Sequence, residues 1–246
     1  MEKILSFSGG KDSTALLLKL IEENMQLDEI IWVDVGMEFP EMYDHINKIE
    51  EYIKRPITRL IPNKTYEELL LKYGVPTQRV RWCTKELKIK TIQKYLRGRE
   101  YSVYMGFALG EEKRKARFPQ DKYIFPLIDD FKMTEKDCLN YCYEKGFDWG
   151  GLYNRMDRLS CWCCPLQKIS DFKVIWEDYP EFWQKLKSWE KELGQSWLIK
   201  QSTDILEVRY ELEKELGFSI SKFKVHQDML KKRLKERGLM SITHHL

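Results

Sequence analysis

Short apolar runs alternate with helical stripes through the first half of the chain. Residues 3–7 are apolar and run into Ser8-Gly9-Gly10-Lys11-Asp12, a glycine turn. After it Ala15, Leu16, Leu17, Leu18, Leu20 and Ile21 recur at helical spacing. Residues 29–35 (EIIWVDV) read as a buried strand, closed by Gly36 and Pro40. Residues 45–53 predict a helix, 57–61 a third strand, 66–73 another helix and 101–105 a further strand that Gly106 ends. Strands alternating with helices predict an α/β fold, an open and mostly parallel sheet with helices on both faces.

The pattern changes near Phe125-Pro126-Leu127-Ile128, and the rest of the chain reads as mostly helical. Thr134 and Asp137 have capping-box spacing. Cys138 and Cys142 are one helical turn apart and read as packing residues. Trp176, Tyr179, Phe182, Trp183 and Trp189 form an aromatic stripe that reads as core between helices, not as a base-stacking platform. No internal repeat or low-complexity segment interrupts the chain.

Composition narrows the class. The chain has 246 residues, 43% of them apolar, enough for a real hydrophobic core. No apolar run approaches the roughly 20 residues that span a bilayer. Met1-Glu2-Lys3 leads straight into the first strand with no cleavage region, so a cytoplasmic protein without membrane contact is expected. Net charge is only +3. The positives gather at Lys113, Arg114, Lys115 and Arg117, and again at Lys231, Lys232, Arg233, Lys235 and Arg237. Such runs are solvated faces by default, and nucleic acid is the partner they would otherwise suit.

The glycine turn carries the first chemistry. Successive N–H groups between a strand and a helix make a cradle for phosphate oxygens, and the helix amino end adds its dipole. Glycine admits the close approach and, at Gly10, is expected to supply positive φ. Lys11 adds a point charge, and Ser8, Ser13 and Thr14 add hydroxyls. Asp12 would repel phosphate directly, so it acts through Mg²⁺ or by anchoring the loop. A Walker A loop would need glycine where Leu5 stands, and the Rossmann G-x-G-x-x-G spacing is absent.

The string Ser8-Gly9-Gly10-Lys11-Asp12-Ser13-Thr14 resembles the PP-loop of the ATP pyrophosphatase superfamily. Further segments resemble its phosphoadenosine phosphosulfate reductase-like family. Asp34-Val35-Gly36-Met37-Glu38-Phe39-Pro40 is similar to the family's Asp-Thr-Gly-x-Glu-x-Pro, with Val35 in place of Thr. Arg81-Trp82-Cys83-Thr84, with Lys85 and Lys88, is similar to its Trp-Cys-Thr segment. Gly106, Glu111 and Arg114 match a third segment, where Ala108 replaces an arginine. Pro126-Leu127 before a helix matches too. The resemblance covers roughly residues 3–190. It implies an adenine-nucleotide-binding domain over residues 1–128 and a helical region with a cysteine cluster over 129–246. It also implies ATP or a related adenine nucleotide on Ser8 to Thr14, with Asp34, Gly106, Glu111 and Arg114, and reaction at Lys11, Asp12, Arg81 and Lys88.

Six cysteines are present, three of them in Cys161-Trp162-Cys163-Cys164-Pro165. The C-x-x-C spacing of Cys161 and Cys164 lets two thiolates reach one metal. The resemblance brings Cys83 toward that pair, with Cys163 either a fourth ligand or a reactive thiol. Zinc or a 4Fe–4S cluster suits thiolates. Three functions compete. An adenylating enzyme would activate an acceptor oxygen, plausibly on nucleic acid, and let sulfur from a donor protein displace the adenylate, as in the family's DNA-phosphorothioation branch. A phosphoadenosine phosphosulfate or adenosine phosphosulfate reductase would need a nucleophilic thiol; no cysteine follows Cys164, and the tail ends Ser241-Ile242-Thr243-His244-His245-Leu246. A nucleotide-binding module of a defence or mobile-element complex would keep the fold without turnover. Oligomers are compatible with each.

Overall fold

The computed structural model describes residues 1–159, 161–198, 201–220 and 223–239; the tail from residue 240 lies outside the described residues. Two compact units result, Met1–Leu69 with Trp82–Cys161, and Leu70–Arg81 with Trp162–Leu246.

The first unit holds the sheet. Its strands are β1 (Glu2–Phe7), β2 (Glu29–Val33), β3 (Thr58–Leu60), β4 (Tyr101–Met105) and β5 (Tyr123–Ile124), in the order β3-β2-β1-β4-β5. All four pairings are parallel. In β1 consecutive Ile4 and Leu5 are both buried, as are Ile30 and Ile31 in β2. Consecutive burial means that both faces are covered, which explains why these strands read as continuous apolar runs. The chain steps outward from β1 to β3, then returns to the other side of β1 at β4. The order reverses there, so the loops after β1 and β4 part at their carboxyl ends and leave a crevice where ligands bind in open α/β sheets.

Helices flank the sheet: α1 (Lys11–Glu22), α2 (Pro40–Ile53), then, after α3 (Tyr66–Tyr73), which runs from the first unit into the second, α4 (Lys90–Tyr95), α5 (Glu112–Lys115), α6 (Pro126–Asp129) and α7 (Glu135–Glu144). Helix α2 begins at Pro40, earlier than its apolar stripe suggests, because proline at the first helical position needs no N–H partner. β2 stops at Val33 because the Asp34 carboxylate accepts the Gly36 N–H at 2.8 Å and turns the chain. Helix α7 starts with the expected capping box of Thr134 and Asp137. Cys138 and Cys142 are fully buried on it, and the Cys142 thiol donates to the Lys11 carbonyl at 3.4 Å. Burial pushes the Cys142 thiol up to about 12, so it packs and does not react.

The second unit is helical, with α8 (Ile169–Asp178), α9 (Pro180–Leu193), α10 (Thr203–Leu216) and α11 (Lys224–Glu236). The aromatic stripe is core. Trp162 stacks on Phe182 at 4.5 Å and on Trp189 at 5.5 Å, and Trp183 and Trp189 are buried. In α11 Arg233 pairs with Glu215 at 2.7 Å, and Arg237 just after it pairs with Glu211 at 2.8 Å. Lys231, Lys232 and Lys235 remain exposed. No described helix is long and apolar enough to cross a membrane.

Candidate functional site

The loop after β1 is the glycine turn. Gly9 takes φ +78°, and a Cβ there would lie 2.5 Å from the Met42 sulfur and 3.0 Å from Ile46 Cδ1. Gly10 precedes α1 with φ −75° and ψ 167°, an extended conformation open to any residue. The positive φ expected at Gly10 therefore sits one residue earlier. The reason is directional: the chain must leave β1 and turn before α1 begins, so the left-handed step comes first. No side chain caps α1 at Gly10. Ser13 Oγ accepts the Ser8 N–H at 3.2 Å and donates to the Gly10 carbonyl at 3.0 Å, tying the turn to itself.

Behind the turn lies a buried polar lattice that the sequence pattern did not reveal. Trp149, in a 3₁₀ turn (Trp149–Asn154), donates its indole N–H to the Gly9 carbonyl at 2.8 Å. His45 Nε2 and Thr14 Oγ1 are 3.0 Å apart, and the His45 ring stacks on Trp149 at 4.4 Å. Thr14 thus faces inward and braces the helix; it does not face the crevice. Tyr153, from the same 3₁₀ turn, accepts the Lys11 N–H at 2.9 Å. Two aromatic residues four apart beside two glycines are the only sequence trace of this brace.

Lys11 is buried and engaged. Its Nζ donates to Asp12 at 2.9 Å and to Glu135 at 2.7 Å. Burial opposes its charge, yet Glu135 and Asp12 together hold its pKa above the usual range. Burial also raises Asp12, against the pull of Lys11. Asp12 is thus paired with its neighbour Lys11, and Glu135 is a partner that sequence reading missed.

The loop after β4 explains Gly106. A Cβ there would lie 2.9 Å from both N and Cα of Ser13. Backbone meets backbone at this point, so Gly106 sets how closely the end of β4 approaches the start of α1. Beyond it Glu111 accepts the Ala108 N–H at 3.0 Å and binds Arg114 at 2.8 Å, with the Arg114 guanidinium 4.0 Å over the Phe107 ring. Asp34, at the end of β2, also accepts the Tyr43 hydroxyl at 2.9 Å. It borders a cavity of about 300 Å³ with Val35, Gly36, Met37, Pro62 and Tyr66. The cavity, the glycine turn and Gly106 all follow strand carboxyl ends of one parallel sheet.

The cysteine cluster divides between the two units. Cys83 and Lys88 lie on a π-helical segment, Cys83–Ile89. Its i→i+5 bonding brings residues five apart toward one side, which an ordinary α-turn would separate. Lys88 Nζ sits 3.5 Å from the Glu38 carboxylate, and Cys161 Sγ lies 3.6 Å from the same carboxylate. Attraction from Cys161, then Glu38 and Cys83, raises Lys88 above the usual ammonium range despite burial. Cys163 is fully buried, and its carbonyl accepts the Trp197 indole N–H at 3.0 Å. Cys164 and an exposed Arg81 belong to the second unit. Among the described residues no group of three or more His, Cys, Asp or Glu could hold a metal ion. Cys83 and Cys161 belong to the first unit, with the Lys88 ammonium as a charged neighbour, and Cys163 and Cys164 belong to the second.

Lys88→Met would leave the Glu38 carboxylate, 6% exposed, without its cation. It is expected to lower unfolding stability by about 1.5–3 kcal/mol. Adding Glu38→Gln should recover most of that loss in a double-mutant cycle read by urea unfolding. A purely additive cycle would show that the pair does not couple.

A family model described as the phosphoadenosine phosphosulfate reductase domain matches residues 2–167. An uncharacterized protein of Methanocaldococcus jannaschii is 25% identical over 223 residues, which cover 80% of this chain and 44% of that protein. The adenosine 5′-phosphosulfate reductase of Geobacillus kaustophilus is 27% identical over 154 residues, 57% of this chain and 63% of that protein. The crystal structure of a phosphoadenylyl-sulfate reductase from Candida auris, a phosphate complex, aligns with TM-score 0.46 at 16% identity, covering 63% of this chain and 78% of that one. The chain spans about half the length of the first two curated relatives it matches, 44% and 47%. With one family model covering most of the chain and the glycine turn seated at the reversal point of a parallel sheet, the chain belongs to the phosphoadenosine phosphosulfate reductase domain family.

Proposed function

We propose that this chain binds ATP with its phosphates on the glycine turn and its adenosine toward the cavity beside Asp34, and that it adenylates an acceptor oxygen with release of pyrophosphate. The observation that carries this reading is the amino end of α1, which its N-cap Gly10 leaves without a side-chain cap, at the strand-order reversal of a sheet whose strand carboxyl ends also border the cavity beside Asp34. Mg²⁺ travels with nucleotide phosphates and takes few protein ligands, usually one or two carboxylates. Asp12, at the turn itself, suits that part. Cys161 and Cys83 gather with Lys88 and Glu38 just beyond β2, on the same edge of the sheet. Thiols placed there support sulfur chemistry on the activated acceptor: a sulfur nucleophile would bond to the acceptor atom that bears the adenylated oxygen, as AMP leaves with that oxygen and the bonding pair. Cys83 and Cys161 are the thiolates this unit offers to zinc or an iron–sulfur cluster, and no step of this reading runs through either. The exposed lysines of α11 suit an anionic acceptor such as nucleic acid.

The similarity to a sulfonucleotide reductase supports a second reading, in which a thiol attacks the sulfate of adenosine phosphosulfate. One assay separates the two. Purified protein is given ATP with an oligonucleotide acceptor in one reaction and adenosine phosphosulfate with a dithiol reductant in the other. Pyrophosphate released from ATP, with no sulfite from the phosphosulfate, is the expected result. Sulfite without pyrophosphate would replace the adenylation reading with the reductase one.

A further inference from the structure

Tyr153 lies outside every motif that marks the glycine turn, yet its hydroxyl touches the turn directly. Its Oη accepts the Lys11 N–H, the first of α1, at 2.9 Å. It also accepts a backbone N–H from Leu159. A Cβ built on Gly10 would sit 3.4 Å from the same oxygen, so the hydroxyl stands at the lip of the turn. A phenol oxygen offers two acceptor positions and one proton. Both acceptor positions are filled by the backbone, which leaves the proton as the only group Tyr153 has to offer. The ring is fixed edge-on to Trp149, with centroids 4.8 Å apart, and Trp149 is held by the Gly9 carbonyl. Two anchors therefore aim one donor at the place where the turn receives an anion.

We propose that Tyr153 donates its hydroxyl proton to a phosphate oxygen of the bound nucleotide and so positions the phosphate chain on the turn. This rests on the nucleotide-site reading above. The part is distinct from that of a backbone cradle: amides accept any anion, whereas a single directed O–H fixes one oxygen and sets the rotation of its phosphate. Tyr153 would thereby separate nucleotides with phosphates from adenosine alone.

The test measures ATP and adenosine affinity by calorimetry on the full chain and on Tyr153→Phe. Loss of one hydrogen bond to a charged group corresponds to roughly a 10- to 100-fold weakening of ATP binding, while adenosine affinity stays as in the native protein. Phenylalanine also removes the acceptor for Lys11 and Leu159, so a second variant isolates the proton. Trifluorotyrosine at position 153 keeps the oxygen and titrates well below tyrosine. As a phenolate it still accepts both N–H groups but has no proton to give, so its ATP affinity should fall as pH rises through that titration, with no such fall in the native protein. An ATP affinity that ignores the titration would assign Tyr153 to bracing alone and overturn the proposal. Unchanged ATP affinity in Tyr153→Phe would overturn it as well. Native protein that binds neither ATP nor adenosine would remove the nucleotide reading itself, an outcome distinct from failure of the tyrosine.

Discussion

Gly9→Ala is expected to destabilise the protein by about 2–5 kcal/mol, whereas Gly10→Ala next to it leaves the fold nearly unchanged. Gly9 has φ +78°, and a side chain there costs about 1–2 kcal/mol for the left-handed backbone alone. The added Cβ would also meet the Met42 sulfur at 2.5 Å and Ile46 at 3.0 Å, an overpacking that costs about 1–3 kcal/mol more. Met42 is flexible, which holds the total near the lower end unless Ile46 resists. Gly10 is extended, with its nearest neighbour at an ordinary 3.4 Å. Urea unfolding of both variants checks the contrast. Equal stabilities would mean that Gly9 carries no strain and that the turn is not built as described.

His45 is expected to make the protein acid-sensitive. Burial, and secondarily the charge of Lys48, hold its pKa down to about 3, against about 6.5 when unfolded. A group depressed on folding contributes stability that is full above the unfolded value and is lost as pH falls toward the folded one. Between pH 7 and pH 4 His45 alone should remove about 3 kcal/mol. The cause is geometric: the ring is 3% exposed, faces Thr14, stacks on Trp149 and meets Phe147 edge-on, so a charged imidazolium would lie in apolar surroundings there. His45→Gln lowers stability at pH 7 but should flatten the acid slope by that amount. The same slope in both proteins would place the acid sensitivity in the carboxylates instead.

Much of this arrangement was legible in the sequence, and the exceptions share a cause. The strand β1, the glycine turn and α1 were readable because apolar spacing and a specific glycine string are local signals. Parallel pairing followed from alternation alone. The strand β5 was not readable, since two residues, Tyr123–Ile124, carry no periodicity. The π-helical turn over Cys83–Ile89 was hidden because its basic residues look like an exposed α-helix. Glu135, His45, Trp149 and Tyr153 were missed because each meets the turn from a distant segment, with no motif to mark it. The resemblance points to a nucleotide edge by position; in the structure Lys11 and Glu111 there are held by protein partners, and Gly106 packs on Ser13. C-x-x-C spacing permits two thiolates to converge but says nothing of a third, and it gives no sign that Cys161, Glu38 and Cys83 would all act on Lys88.

The central claim is that the glycine turn holds nucleotide phosphates. Titration of ATP into the native chain and into Gly10→Val, each shown to be folded by circular dichroism, tests it most directly. Gly10 is extended, so valine fits the backbone, but its methyl groups would fill the space before the Lys11 N–H and Tyr153. Saturable ATP binding by the native chain, and none by Gly10→Val, is the expected result. Equal ATP affinity in the two folded proteins would place the nucleotide elsewhere and contradict the claim.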